Sequence, residues 1–138
     1  MKLILCDEHD ACTSQLCQIR AKVRDACGCI GFPIADINAI TLAIDEACTN
    51  IIRYAYGGEV GRIVLTIYQQ GEEAVFSLQD FAECIDEACL EMKKKSLLDP
   101  GGLGLKLIYQ IMDSVELLPF HDQIGNILEL KKHLPKGL

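Results

Sequence analysis

The sequence predicts a two-layer α/β (α+β) sandwich, a mostly antiparallel mixed sheet with helices packed on one face. Two observations carry this. Two stretches in the first half, about residues 10–29 and 36–56, repeat apolar residues at helical spacing. From Arg62 onward the period shortens to that of strands, and turn residues separate successive runs. Strands joined by short turns become antiparallel neighbours, which leaves the helices to cover one side of the sheet. The chain of 138 residues suits one domain, 1–138, and no repeat, low-complexity tract or Pro/Gly/Ser linker divides it.

The elements follow in order. Residues 2–6 form a short apolar run, read as an edge strand. Leu16, Ile19, Val23, Ala26 and Cys27 share one helical stripe, closed by Gly28, Gly31 and Pro33. Asp36 is placed to cap the next helix, where its carboxylate can accept a free N–H of the first turn. That helix carries Ile37, Ile40, Ile44, Ala47, Cys48, Ile51 and Ala55 on one stripe and stops at Gly57-Gly58. Residues 62–68 and 74–78 are β-rich and joined through Gly71, a hairpin signal. Residues 81–100 have little fixed pattern, with room for a turn or two of helix between Cys84 and Lys95. A third helix is expected over 103–112, and a last pair of strands over 114–120 and 126–132.

Composition narrows the classes of function. A net charge of −7 argues against non-specific nucleic-acid binding, which relies on clustered Lys and Arg. It suits contact with other proteins or with a cation-escorted ligand. No apolar run reaches the length of a membrane span, and the run from Met1 to Cys6 is too short for a signal peptide, so a cytoplasmic protein is expected. The eight cysteines include no Cys-x-x-Cys pair, and His9, His121 and His133 lack zinc-ligand spacing. They are read as free, mostly buried thiols.

Three features carry chemistry. Glu46 and Asn50 stand four apart on the second helix and so share a side, and Arg53 and Tyr54 follow Asn50 by three and four. An amide oxygen is a hard ligand suited to Mg²⁺, and Arg suits a phosphate. A carboxylate beside them can accept a proton from a hydroxyl nucleophile. Taken alone, the stripe is more economically the solvated face of an amphipathic helix. The second feature is Gly101-Gly102-Leu103-Gly104-Leu105. Glycines let backbone N–H groups crowd an anion at the positive end of a helix. No Gly-Lys-Ser/Thr follows, so this is not a Walker A sequence. The third is Asp80 at a strand end, a carboxylate able to accept a hydrogen bond from an exocyclic amine such as adenine's.

Taken together, Glu46-x3-Asn50, then Asp80, then Gly102-Leu103-Gly104-Leu105 resemble the N, G1 and G2 boxes of the GHKL ATPases, the superfamily of gyrase and the histidine kinases. More closely, and over nearly its whole length, the chain resembles the anti-sigma-factor serine kinases. The stretch Asp45-Glu46-Ala47-Cys48-Thr49-Asn50-Ile51-Ile52 and the closing strand from Gly125 to Lys132 support this. The resemblance implies a Bergerat-type ATP-binding fold and a kinase that uses ATP and Mg²⁺ to phosphorylate a small antagonist protein. It implies a sigma factor and that antagonist as partners, and a homodimer. By position, Asn50 resembles the Mg²⁺-binding asparagine and Glu46 the acid that activates the acceptor hydroxyl. Arg53 sits where a basic residue meets phosphate, Asp80 resembles the adenine-reading aspartate, and Gly101 to Leu105 would cradle the phosphates.

The chain departs from the pattern in three places. The G1 box Asp-x-Gly-x-Gly reads Asp80-Phe81-Ala82-Glu83-Cys84, Tyr54 stands for a usual His, and Asn126 for a usual Thr. These departures open a second reading, a non-catalytic or weakly ATP-binding regulatory module of the same fold. Lys93-Lys94-Lys95 falls where the family has its ATP lid and is read as a solvated charge run, as are Arg20, Lys22 and Arg24 on the first helix.

Overall fold

The edge strand is longer than its apolar run. In the computed structural model, which describes residues 1–83, 87–99, 105–119 and 125–136, β1 (Lys2–Asp10) continues through Asp7, Glu8, His9 and Asp10. It pairs antiparallel with β2 (Arg62–Gln70), from Lys2 opposite Gln69 to Asp10 opposite Arg62, across a bulge between Leu3 and Leu5. The strand expected at residues 2–6 is thus four residues short. Main-chain pairing holds an edge strand whose outer side is wet, so its second half needs no apolar side chains.

α1 (Leu16–Ile30) follows a short 3₁₀ turn (Thr13–Gln15) and so begins later than its periodicity suggested. Gly28 lies inside the helix. The terminator is Gly31, whose φ of 106° no side chain obstructs and whose N–H bonds Cys27 O. α2 (Ile34–Asn50) starts directly after Pro33, whose carbonyl accepts the N–H of Ile37. Asp36 is therefore in the first turn and not the cap, where its charge still faces the positive end of the helix. Beyond Asn50 the helix widens into a π turn (Ile51–Ala55), with Tyr56 N–H bonding Ile51 O, and it ends at Gly57 and Gly58, both at positive φ.

β2 turns at Gly71, φ 63°, into β3 (Glu73–Asp80). After β3 come α3 (Glu87–Leu98), a longer helix than the turn or two expected, and α4 (Leu105–Ile111). β4 (Ser114–Pro119) and β5 (Asn126–His133) complete the sheet in the order β1-β2-β3-β5-β4, and each described pairing is antiparallel. The expected layered architecture stands.

Ile63, Leu65 and Ile67 on β2, Ala74, Phe76 and Leu78 on β3, and Leu128 and Leu130 on β5 form the apolar side of the sheet. They share one core with Ile19 and Val23 of α1, Ile40, Ile44 and Cys48 of α2, Leu97 of α3, and Leu105 and Ile108 of α4. Counting on by twos from Ala74 brings Asp80 onto the same core-facing row. Arg20 pairs with Asp45 at 2.8 Å and Arg24 with Asn38 at 2.7 Å, tying α1 to α2, and Lys22 Nζ lies 3.8 Å from Asp7. These three cations therefore have partners within the chain.

The thiols divide by face. Cys27 and Cys48 are buried, and burial pushes both up to about 12. Cys6, Cys12, Cys17 and Cys29 are exposed, against the expectation of mostly buried thiols, because they fall off the apolar stripes; Cys84 lies outside the described residues. Among the described residues no helix is long and apolar enough to cross a membrane.

Candidate functional site

Asn50 is the last residue of α2, where the helix widens. It is 2 % exposed, and its Nδ2 is enclosed without a hydrogen-bond partner among the described residues. A buried amide left unpaired costs about 1–3 kcal/mol, so it calls for a reason. Thr49 turns its hydroxyl to Asp45 O at 2.8 Å. Glu46, one turn earlier on the side of Asn50, is half-buried and makes no hydrogen bond or ion pair among the described residues. Arg53 and Tyr54 are carried by the π turn and are exposed, with the Arg53 guanidinium 5.8 Å from the Tyr54 ring centre. Asn50 is enclosed while Arg53 and Tyr54 are exposed, so the three do not share one environment as their spacing implied.

Asp80 ends β3 on the helix-facing side and is 1 % exposed. Its Oδ1 accepts from Lys93 Nζ at 2.6 Å and from the N–H of Ala82 at 3.1 Å, and the N–H of Asn126 also donates to the carboxylate. Burial pushes this carboxyl above the usual carboxylate range, against the pull of Lys93 and the two backbone N–H groups. Gly125 allows the close approach of β5: its φ is 80°, and a Cβ there would lie 1.9 Å from the Asp80 carbonyl oxygen. Tyr56 fixes the turn after Asp80 from the other side. Its hydroxyl accepts from Phe81 N–H at 2.7 Å and donates to Arg62 O at 2.6 Å, and its ring occupies the space that a side chain at Gly61 would need. Arg62 stacks over Phe81 at 4.2 Å.

Between the π turn and α3 lies a cavity of about 320 Å³, lined by Arg53, Tyr54, Glu83, Met92, Lys93 and Ser96 among others. That is near the small end of the range for ligand pockets, about 300–1,000 Å³. Leu105, the first described residue of α4, is buried, and α4 packs against α2. Gly101, Gly102, Leu103 and Gly104 lie outside the described residues.

The cation and the base fare differently in a test of fit. Asn50 offers an enclosed Nδ2, an N–H donor without a partner among the described residues, which suits an acceptor such as a phosphate oxygen; a cation would be met by its Oδ1. Asp80 offers a carboxylate already engaged by an ammonium. Sequence reasoning missed Lys93. Of the three consecutive lysines, Lys94 and Lys95 are exposed and Lys93 is 4 % exposed. The available signal was its position four residues before the core residue Leu97. Tyr56 was missed as well, and no sequence pattern marks its role.

The chain belongs to the histidine kinase-like ATPase domain family, which matches residues 10–132. It is 31 % identical over 121 residues to the serine-protein kinase RsbW of Bacillus cereus (strain G9842), covering 82 % of this chain and 74 % of that protein. It is 30 % identical over 128 residues to the serine-protein kinase RsbW of Halalkalibacterium halodurans, covering 86 % and 75 %. The fold is like that of the RsbU and RsbW domains of Rv1364c from Mycobacterium tuberculosis, with a TM-score of 0.64 and 21 % identity over 94 % of this chain. This chain spans 32 % of that longer one. It is also like a chain of the SiaB-SiaC complex from Pseudomonas aeruginosa, with a TM-score of 0.62, 18 % identity, and coverage of 95 % and 90 %.

Proposed function

We propose that this chain is an anti-sigma factor and ATP-dependent serine/threonine protein kinase, a single histidine-kinase-like ATPase domain over 1–138 that phosphorylates a small antagonist in a partner-switching circuit. The observation that carries the reading is the enclosed side chain of Asn50, whose Nδ2 donor has no partner among the described residues, one helical turn from Glu46, whose carboxylate makes no hydrogen bond or ion pair among them. The serine-protein kinases among its relatives support it. Asn50 would hold Mg²⁺ through its side-chain oxygen, leaving Nδ2 to donate to a phosphate oxygen, and the ion when bound neutralises charge on the phosphates. Arg53, from the exposed side of the π turn, would meet the phosphates, and Gly101, Gly102, Leu103, Gly104 and Leu105 would surround them with backbone N–H groups. Asp80 would accept from the exocyclic amine of adenine. Glu46 would orient the acceptor serine and take its proton as the serine oxygen bonds to the γ-phosphorus and ADP leaves. The partners would be a sigma factor and its antagonist, the active form a homodimer, and the compartment the cytoplasm.

Transfer of labelled γ-phosphate to a cognate antagonist tests this. Asn50→Ala should abolish transfer while the variant stays folded. Undiminished transfer by that variant would rule out the assigned role.

A second reading, a non-catalytic binding module, draws on the Asp80–Lys93 pair and on Ala82 in place of a glycine. It predicts that the protein grips its partner equally well with and without ATP and transfers no phosphate.

A further inference from the structure

We infer that Lys93 is an internal competitor for the base-reading carboxylate: its ammonium occupies Asp80 where an exocyclic amine would donate, so nucleotide binds only when α3 withdraws it. This rests on the proposed role of Asp80.

The pair is placed like a site and its plug. Lys93 Nζ meets Asp80 Oδ1 at 2.6 Å, with the two side chains only 3 % and 2 % exposed. An ammonium and an aromatic exocyclic amine are both N–H donors, and this oxygen also accepts from Ala82 N–H. A ligand amine directed at this oxygen would have to displace one of the two, and the Asn126 N–H already donates to the same carboxylate. The Ala82 N–H is fixed by the turn that Tyr56 holds, whereas Lys93 is on a separate helix.

α3 also keeps most of its described side chains outward. Among its described side chains only Lys93 and Leu97 are buried, while Met92 is 71 % exposed and Glu91, Lys94 and Lys95 face outward. A helix with Leu97 and part-buried Leu98 on the core, the Lys93–Asp80 pair, and Leu98 O accepting from the Tyr109 hydroxyl, but with most of its described side chains outward, belongs toward the low-stability end of a structure, where local opening is easiest. The cavity beside Lys93 lies under this same helix, so its withdrawal would enlarge an existing space. A buried ion pair contributes little net stability, because desolvating both charges offsets their attraction. The pair is therefore exchangeable for a ligand that satisfies Asp80 equally well. Apparent affinity falls by the fraction of molecules in which Asp80 is free.

Two experiments test this. In the first, amine acylation followed by mass spectrometry compares Lys93 with its neighbours Lys94 and Lys95 in the wild-type protein. Lys93 should be protected at least tenfold without nucleotide and should approach its neighbours' reactivity with saturating Mg-ATP. Protection unchanged by bound Mg-ATP overturns the inference, and this readout holds even if variants fold poorly.

In the second, calorimetry compares Mg-ATP binding by wild type, Lys93→Met and Lys93→Met/Asn50→Ala. Binding at least tenfold tighter in Lys93→Met, and lost with Asn50→Ala, supports the competitor. Equal affinity in wild type and Lys93→Met overturns it and leaves the nucleotide site standing. Absence of binding in both removes the nucleotide site, and the inference with it.

Discussion

Replacing Asn50 with leucine separates what this residue does for folding from what it does for a ligand. The amide is 2 % exposed and its Nδ2 has no partner among the described residues, so the folded chain carries an uncompensated desolvation cost of about 1–3 kcal/mol. Leucine removes the polar group and adds apolar burial. Its different shape at the junction of α2 and the π turn costs up to about 1.5 kcal/mol, as shape-changing core swaps do. The net expectation is a gain of about 1 kcal/mol, or about 3–6 °C in Tm for a chain of this size. Urea unfolding and thermal scans in nucleotide-free buffer measure it, with phosphate transfer measured in parallel. The expected result is a protein at least as stable as wild type and inactive. Such a pattern marks a residue kept for function at the expense of stability. A loss of 2 kcal/mol or more would show that the amide is a structural element with a partner in solution, and the reasoning from its unpaired state would fail.

Gly125→Ala should destabilise the protein by about 2–4 kcal/mol, because a Cβ would meet the Asp80 carbonyl at 1.9 Å and alanine is strained at a φ of 80°. A urea midpoint close to wild type would refute the close approach of β5 to Asp80. The buried thiols predict alkaline sensitivity. Their folded-state values, about 12, lie above the ordinary value of 9, so their contribution is fully present below pH 9 and is lost as pH rises toward 12. Each thiol should remove about 1.4 kcal/mol per pH unit within that window. Urea unfolding of wild type and Cys48→Ala at pH 8 and pH 10 should show a shallower fall in the variant; parallel falls would contradict the burial of Cys48.

Much of the fold was legible because apolar alternation and turn chemistry agree from Arg62 to Asp80 and again in the closing strands. Asp80 could be placed at a strand end, and counting by twos from Ala74 turns it inward. The polar half of β1 was not legible, since its pairing to β2 is made by main chain and carries no side-chain signature. The π turn after Asn50 left no mark in the apolar period, and the shared edge expected for Asn50, Arg53 and Tyr54 is split between an enclosed amide and two exposed side chains. Lys93 was hidden by its neighbours. A lysine run reads as a wet face, and only a carboxylate thirteen residues earlier, brought beneath α3 by the sheet, explains why one of the three is buried. Glu46 and Asn50 were identified from their spacing and resemblance, and what the structure adds is the enclosure of the Asn50 amide.

A crystal structure of the protein with Mg²⁺ and a non-hydrolysable ATP analogue tests the central claim most directly. The account predicts the ion coordinated by the Asn50 side-chain oxygen at about 2.0–2.1 Å, with the base against Asp80 and Lys93 displaced from it. A nucleotide bound elsewhere, with Asn50 still enclosed and Lys93 still on Asp80, would contradict it.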